Sequence, residues 1–119
     1  MKTTLKQFKV FEKEAKSWIN ALGLREYEVH FGHDELENLA ECGVNEQARL
    51  AKLYLSKNWV GEIPLNEHEI KKAAFHEVLE LLFGRLRGYA DRKDGNPEVI
   101  DGEVHRLIQV FINIFYEEV

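Results

Sequence analysis

One cysteine, one methionine and two prolines in 119 residues leave this chain few of the devices by which small proteins are stapled or broken. Cys42 has no second cysteine for an intramolecular disulfide, and a cysteine-built zinc site is excluded with it. With no motif around it, Cys42 reads as a small, half-buried apolar residue. Nowhere is there a run of the roughly 20 apolar residues that a membrane-spanning helix needs. The lysine-rich opening, MKTTLKQFKVFEKEAKSW, lacks the continuous apolar stretch of a signal peptide. These absences lead us to expect a soluble protein of a reducing cytoplasm. Positive charge is also in deficit: 16 Lys and Arg against 21 Asp and Glu give a formal net charge of −5. A general nucleic-acid binder needs a basic surface to neutralise phosphates, so this balance argues against one.

An apolar content of 45%, with 11% aromatic, is ample for a core and excludes a generally disordered chain. A core of this length is normally single, so one domain over residues 1–119 is expected. Leu5, Phe8, Ala15, Trp18 and Leu22 recur at helical spacing with Lys and Glu between them, and Gly23 follows as a cap. The period then changes. In REYEVHF, Tyr27, Val29 and Phe31 alternate with Glu26, Glu28 and His30, the signature of a half-buried strand. The segment LAECGVNEQARLAKLYLS reads as two strands joined near Asn45-Glu46-Gln47, with Ala51, Leu53 and Leu55 on one face of the second. Trp59 to Leu65 is a connection broken by Gly61 and Pro64.

Asn66 followed by Glu69 has the spacing of a capping box and predicts a helix from about Glu67. Its apolar residues, from Ala73 through Leu86, cover most of the circumference, so the helix is expected to be central. The stretch RGYADRKDGN reads as a polar, solvated loop. Asn96-Pro97-Glu98 then starts a last helix: a side-chain cap, a proline whose missing amide costs little in the first turn, and an acid near the positive end. Helix, three strands and two helices make an α+β domain with its sheet packed on one side by helices.

The chemistry of interest lies in AFHEVLELLF, residues 74–83. His76 and Glu80 are four residues apart and therefore neighbours on one helical face, the spacing at which a helix holds two metal ligands rigidly. In the zinc motif H-E-x-x-H the intervening glutamate is the general base, and here it is Glu77; the second histidine is replaced by Glu80. Catalytic zinc sites commonly use three protein ligands, two histidines and a glutamate among them. His105 completes such a set, and Glu103 is its rival. Two residues apart on one helix, these point about 200° apart, so only one is expected to face the site. Against this stand the ordinary roles: an i,i+4 ion pair for His76 and Glu80, and a surface or hydrogen-bonded histidine for His105. His30 and His33 are placed on the solvent side, His68 has no ligand geometry, and Trp18 and Trp59 are core or groove-lining.

In their order, W-I-N-A-L-G-L-R-E-Y-E-V-H-F, the hairpin ending R-L-A-K-L-Y-L-S-K-N-W, E-I-K-K-A-A-F-H-E-V-L-E-L-L-F-G-R-L and the terminal E-V-H-R-L-I-Q-V-F resemble the small zincin-like metallopeptidases of phage and prophage genomes. The resemblance runs from Trp18 to about Phe111. It implies a minimal zincin-like fold: an N-terminal helix, a three-stranded antiparallel sheet, the metal-site helix and a closing helix. It also implies zinc as cofactor, His76 as first ligand, Glu77 as general base, a third ligand at His105 or Glu103, and hydrolysis of peptide bonds through a metal-activated water, in the host cytoplasm if the chain is phage-encoded. The loss of the second histidine gives the alternative: an inactive zincin-fold phage protein that binds a host or phage protein partner.

Overall fold

The computed structural model describes residues 1–91 and 97–116. Helix α1 spans Leu5–Ala21 and starts where Thr4 and Gln7 satisfy each other: Thr4 Oγ1 accepts from the Gln7 amide at 3.1 Å, and Gln7 Oε1 from the Thr4 amide at 2.8 Å. It ends at Gly23, whose φ of 71° lets the chain reverse without a Cβ penalty. Phe11 and Ala15 are its fully buried residues.

Strands β1 (Glu28–Asp34), β2 (Ala40–Asn45) and β3 (Leu50–Ser56) form one sheet in the order β1-β3-β2. The sheet is mixed and not antiparallel as the resemblance implied: β2 and β3 pair antiparallel, but β1 and β3 run parallel. Burial explains the order. Ala51, Leu53 and Leu55 are all fully buried, so β3 takes the central place, while β1 and β2 carry their charged and polar residues to the edges. The short β2–β3 turn keeps those two adjacent, and Glu35–Leu39 must then carry the chain past β3. That is a step of about 10 Å, two strand spacings. Buried Ser56 fixes this crossing: its Oγ accepts from the Leu36 amide at 3.3 Å and its own amide donates to Leu39 O at 2.9 Å.

Pairing also sorts the histidines. Phe31 is opposite Leu53 and His33 opposite Leu55, so His33 lies on the core face, stacked on Phe8 with ring centroids 5.0 Å apart. Only His30, on the other face, is solvent-exposed as expected.

Helix α2 spans Glu67–Asp91. Asn66 Oδ1 accepts from the Glu69 amide at 2.9 Å, which fixes its start. The segment expected to be a loop from Arg87 is helical through Asp91; residues 92–96, with the Asn96 cap, lie outside the described residues. The penalty of Gly88, about 1 kcal/mol against alanine, is too small to stop a helix that has already run from Glu67. Helix α3 spans Pro97–Phe115. Ile70, Ala74, Val78 and Leu81 pack toward α1 and the sheet, whereas Phe75 and Leu79 pack against Val104, Ile108 and Ile112 of α3. The central helix is therefore apolar on two sides because it serves two cores. Across both, Trp18 Nε1 donates to Glu14 Oε2 at 2.9 Å and the Tyr116 hydroxyl donates to the same carboxylate, tying the end of α3 to α1. Among the described residues no helix is long and apolar enough to cross a membrane.

Candidate metal centre

His76 and Glu80 stand one turn apart on α2, with His76 Nε2 3.6 Å from Glu80 Oε1. From α3, His105 brings Nε2 to 3.3 Å from the same oxygen. One donor atom from each of the three lies within 4.8 Å of the others. The choice between the two α3 candidates follows from helix geometry. Val104 is the buried residue of that turn, and Glu103 and His105 diverge by about 100° on either side of it. His105 falls on the flank facing Glu80. Glu103 is exposed and engaged elsewhere: Arg106 reaches its Oε1 with Nη2 at 2.7 Å and Nε at 3.0 Å, and this guanidinium holds the Glu103 carboxyl below its ordinary range.

The orientation of His105 is set by Asp101, one turn earlier. Nδ1 lies 2.9 Å from the Asp101 carbonyl oxygen and 3.3 Å from its Oδ2, both acceptors, so Nδ1 carries the ring proton. A neutral His105 therefore points the lone pair of Nε2 at the Glu80 carboxylate. Two acceptors at 3.3 Å need a proton or a metal ion between them. The separations of 3.3 and 3.6 Å from Glu80 Oε1 are compatible with either. Tetrahedral zinc, with ligands at about 2.0–2.1 Å, holds neighbouring donor atoms about 3.3 Å apart. Two imidazoles and one carboxylate are a donor set used by zinc and also by non-haem iron(II). Asp101 was not singled out from the sequence, although its i,i+4 spacing from His105 was there to be read.

Glu77, expected as the general base, is buried at 8% exposure, with no hydrogen bond or ion pair to any described residue. Burial pushes its carboxyl up to about 8, and the neighbouring carboxylates of Glu80 and then Glu41 push in the same direction. Together with His76 it lines a cleft of about 350 Å3 beside the cluster. The apolar walls are Leu39 and Ala40 at the start of β2, Trp59 and Ile63 in the connection before α2, Ala73 on α2 and Ile112 on α3. Trp59 holds its wall in place by donating Nε1–H to the Ile63 carbonyl at 2.9 Å. Glu69, Lys72 and Gln109 supply the remaining polar lining, none of them visible as site residues in the sequence.

His68 is exposed at the start of α2 with its ring 6.1 Å from that of Tyr116, and His30 pairs with Glu28 on the outer face of the sheet, so neither joins the cluster. The structure thus brings His76, Glu80 and His105 together, sets Glu77 beside them in the cleft, and leaves Glu103 outside. No protein-family model, curated protein or solved structure matches this chain.

Proposed function

We propose that this protein is a zincin-like, zinc-dependent metallopeptidase in which His76, Glu80 and His105 hold the metal and Glu77 is the general base. The observation that carries the reading is the His105–Glu80 contact: a histidine whose other nitrogen is committed to Asp101 presents a lone pair to a carboxylate. A divalent ion held by these three side chains would supply Lewis acidity, polarising a scissile carbonyl and acidifying water. Glu77 then accepts a proton from the attacking water and returns it to the leaving amine. In the metal-free chain its raised pKa keeps it largely protonated at neutral pH; a positive charge at the cluster offsets the neighbouring carboxylates and favours the ionised form that the role requires. Asp101 holds the His105 ring in the tautomer suited to a ligand.

A second reading keeps the fold and drops the chemistry: an inactive zincin-fold protein that binds a host or phage protein. It is favoured by the outer side of α3, where Val99, Val110 and Ile114 are exposed. Metal content separates the two. Protein purified without a histidine tag or chelator is expected to carry about one zinc per chain, lost in His76→Ala. A metal-free, folded native chain that takes up no zinc on titration would sink the first reading and leave the second.

A further inference from the structure

Helix α3 buries one face against α2 and leaves the opposite face to solvent. Val104, Ile108 and Ile112 form the buried side. At about 100° per residue, Val99, Glu103, Arg106 and Val110 fall within about 60° of one another on the other side. All are exposed: Val99 at 66%, Val110 at 41%, and the side chains of Glu103 and Arg106 at 59% and 61%. Their spacing of four, three and four residues is the alternation of seam positions in a coiled coil. Two valines thus flank a charged pair in which Arg106 Nη2 lies 2.7 Å from Glu103 Oε1. The stripe runs about 17 Å along the helix axis, three turns.

Val-Glu-Arg-Val is its own complement when read backwards. With a second α3 laid antiparallel, and a twofold axis level with the midpoint between Val104 and His105, Val99 meets Val110 of the second copy. Glu103 meets Arg106 of that copy, and Arg106 meets its Glu103. A twofold interface demands this reciprocity, since residue i meets j wherever j meets i. The alternatives along the same stripe fail. Parallel pairing in register sets Glu103 on Glu103 and Arg106 on Arg106, a juxtaposition of like charges that suppresses association. A slip of one heptad in the antiparallel pair sets valine against charge. The charged positions therefore fix orientation and register, and cost some affinity through desolvation.

We infer that the outer face of α3 is a self-association surface on which a second copy of this chain docks its own α3 antiparallel. The inference goes beyond the metallopeptidase reading and rests on no metal. Three turns of helix pair bury less than the roughly 1,200–2,000 Å2 of a standard stable complex, so the dimer is a weak one that dissociates in the micromolar range.

Sedimentation equilibrium of the full, untagged chain between about 1 and 300 μM tests the inference. The native protein is expected to pass from monomer to dimer across this range. Glu103→Arg brings only arginines to the twofold axis and Arg106→Glu only glutamates, so each should raise the dissociation constant at least about tenfold. Mixed in equal amounts, the two variants should associate with each other, because arginine then meets glutamate at both crossings. The double variant, Glu103→Arg with Arg106→Glu, keeps the complement and should dimerise about as the native chain does. Circular dichroism is expected to show native helix content in all of them, since both positions are exposed. A dimer indifferent to either single reversal, or an equimolar mixture that stays monomeric, overturns the inference. So does a native chain that stays monomeric throughout, which would assign the face to a different protein partner.

Discussion

Oε1 of Glu80 stands 3.3 Å from Nε2 of His105, so a carboxylate on one helix meets an imidazole on the next whose other nitrogen already serves Asp101. Metal binding is therefore expected to join α2 to α3 and to appear as stability. A ligand at a hundred times its dissociation constant adds about 2.7 kcal/mol. For a chain of this length that is roughly 10 °C in Tm. Scanning calorimetry with and without zinc should show the rise in the native protein and in Glu103→Ala, and its loss in Glu80→Ala and His105→Ala. A rise abolished by Glu103→Ala and retained in His105→Ala would reverse the assignment of the third donor.

The burial of Glu77 bears on stability. Its folded pKa of about 8 exceeds the ordinary carboxyl value, so the folded state binds a proton that the unfolded state releases above about pH 4.5. Stability of the metal-free chain is thus eroded as pH rises from about 4.5 to 8 and by a constant amount thereafter. Glu77→Gln keeps the shape and removes the titration. At pH 8 the metal-free variant should be more stable than the native chain, by an amount of the order of 1–3 kcal/mol, and by less at pH 5. Urea midpoints at the two pH values measure this. Any peptidase activity should fall in Glu77→Gln by about 100-fold or more.

His33 has the opposite pH signature. The Thr3 hydroxyl donates to Ser56 O at 2.6 Å and so accepts from His33 Nε2–H at 2.7 Å. Burial, and then Lys57, hold the imidazole pKa below its ordinary value, with Asp34 opposing. A depressed histidine contributes its stability above the unfolded pKa of about 6.5 and loses it as pH falls through the lower folded value. The difference in urea midpoint between native protein and His33→Phe should therefore move in favour of the variant between pH 7.5 and 5.5. A difference that stays constant with pH would refute the assignment.

Gly32 is the position in β1 where a side chain has no room. A Cβ there would come within 2.4 Å of Cδ1 and Cε1 of Tyr54, its partner on β3. Gly32→Ala should push the ring aside and cost about 1–3 kcal/mol, the usual range for overpacking. Tyr54→Ala should relieve much of that cost. A double-mutant cycle by chemical denaturation would show a coupling above about 0.5 kcal/mol, and additive effects would contradict the contact.

Much of this architecture was legible because it is local. The Asn66 cap, the proline start of α3, the hairpin turn near Asn45-Glu46-Gln47 and the amphipathic α1 all depend on neighbours in sequence. The parallel pairing of β1 with β3 was not legible, since strand order is decided by which strand the whole core buries most completely. His33 was misplaced for a simpler reason: the alternation that places Val29 and Phe31 inside continues to residue 33 once the strand does. Within the candidate site, the His76–Glu80 pair follows from helical spacing. The choice of His105 over Glu103 needed the rotation of α3 against α2, and the place of Lys72 and Gln109 in the lining needed a cleft that no single segment defines.

The tie between Glu14 and Tyr116 has a consequence for the newly made chain. These residues are 102 positions apart, and a ribosome adding 5–20 residues per second takes roughly 5–20 s to travel between them. Throughout that interval α1 and the sheet can assemble around β3, but the surface of Trp18 that Phe115 and Tyr116 cover stays open. His105 emerges late in the same interval. Any metal captured earlier would meet only two of the three proposed donors, so vectorial synthesis makes the candidate centre among the last parts of the molecule to mature.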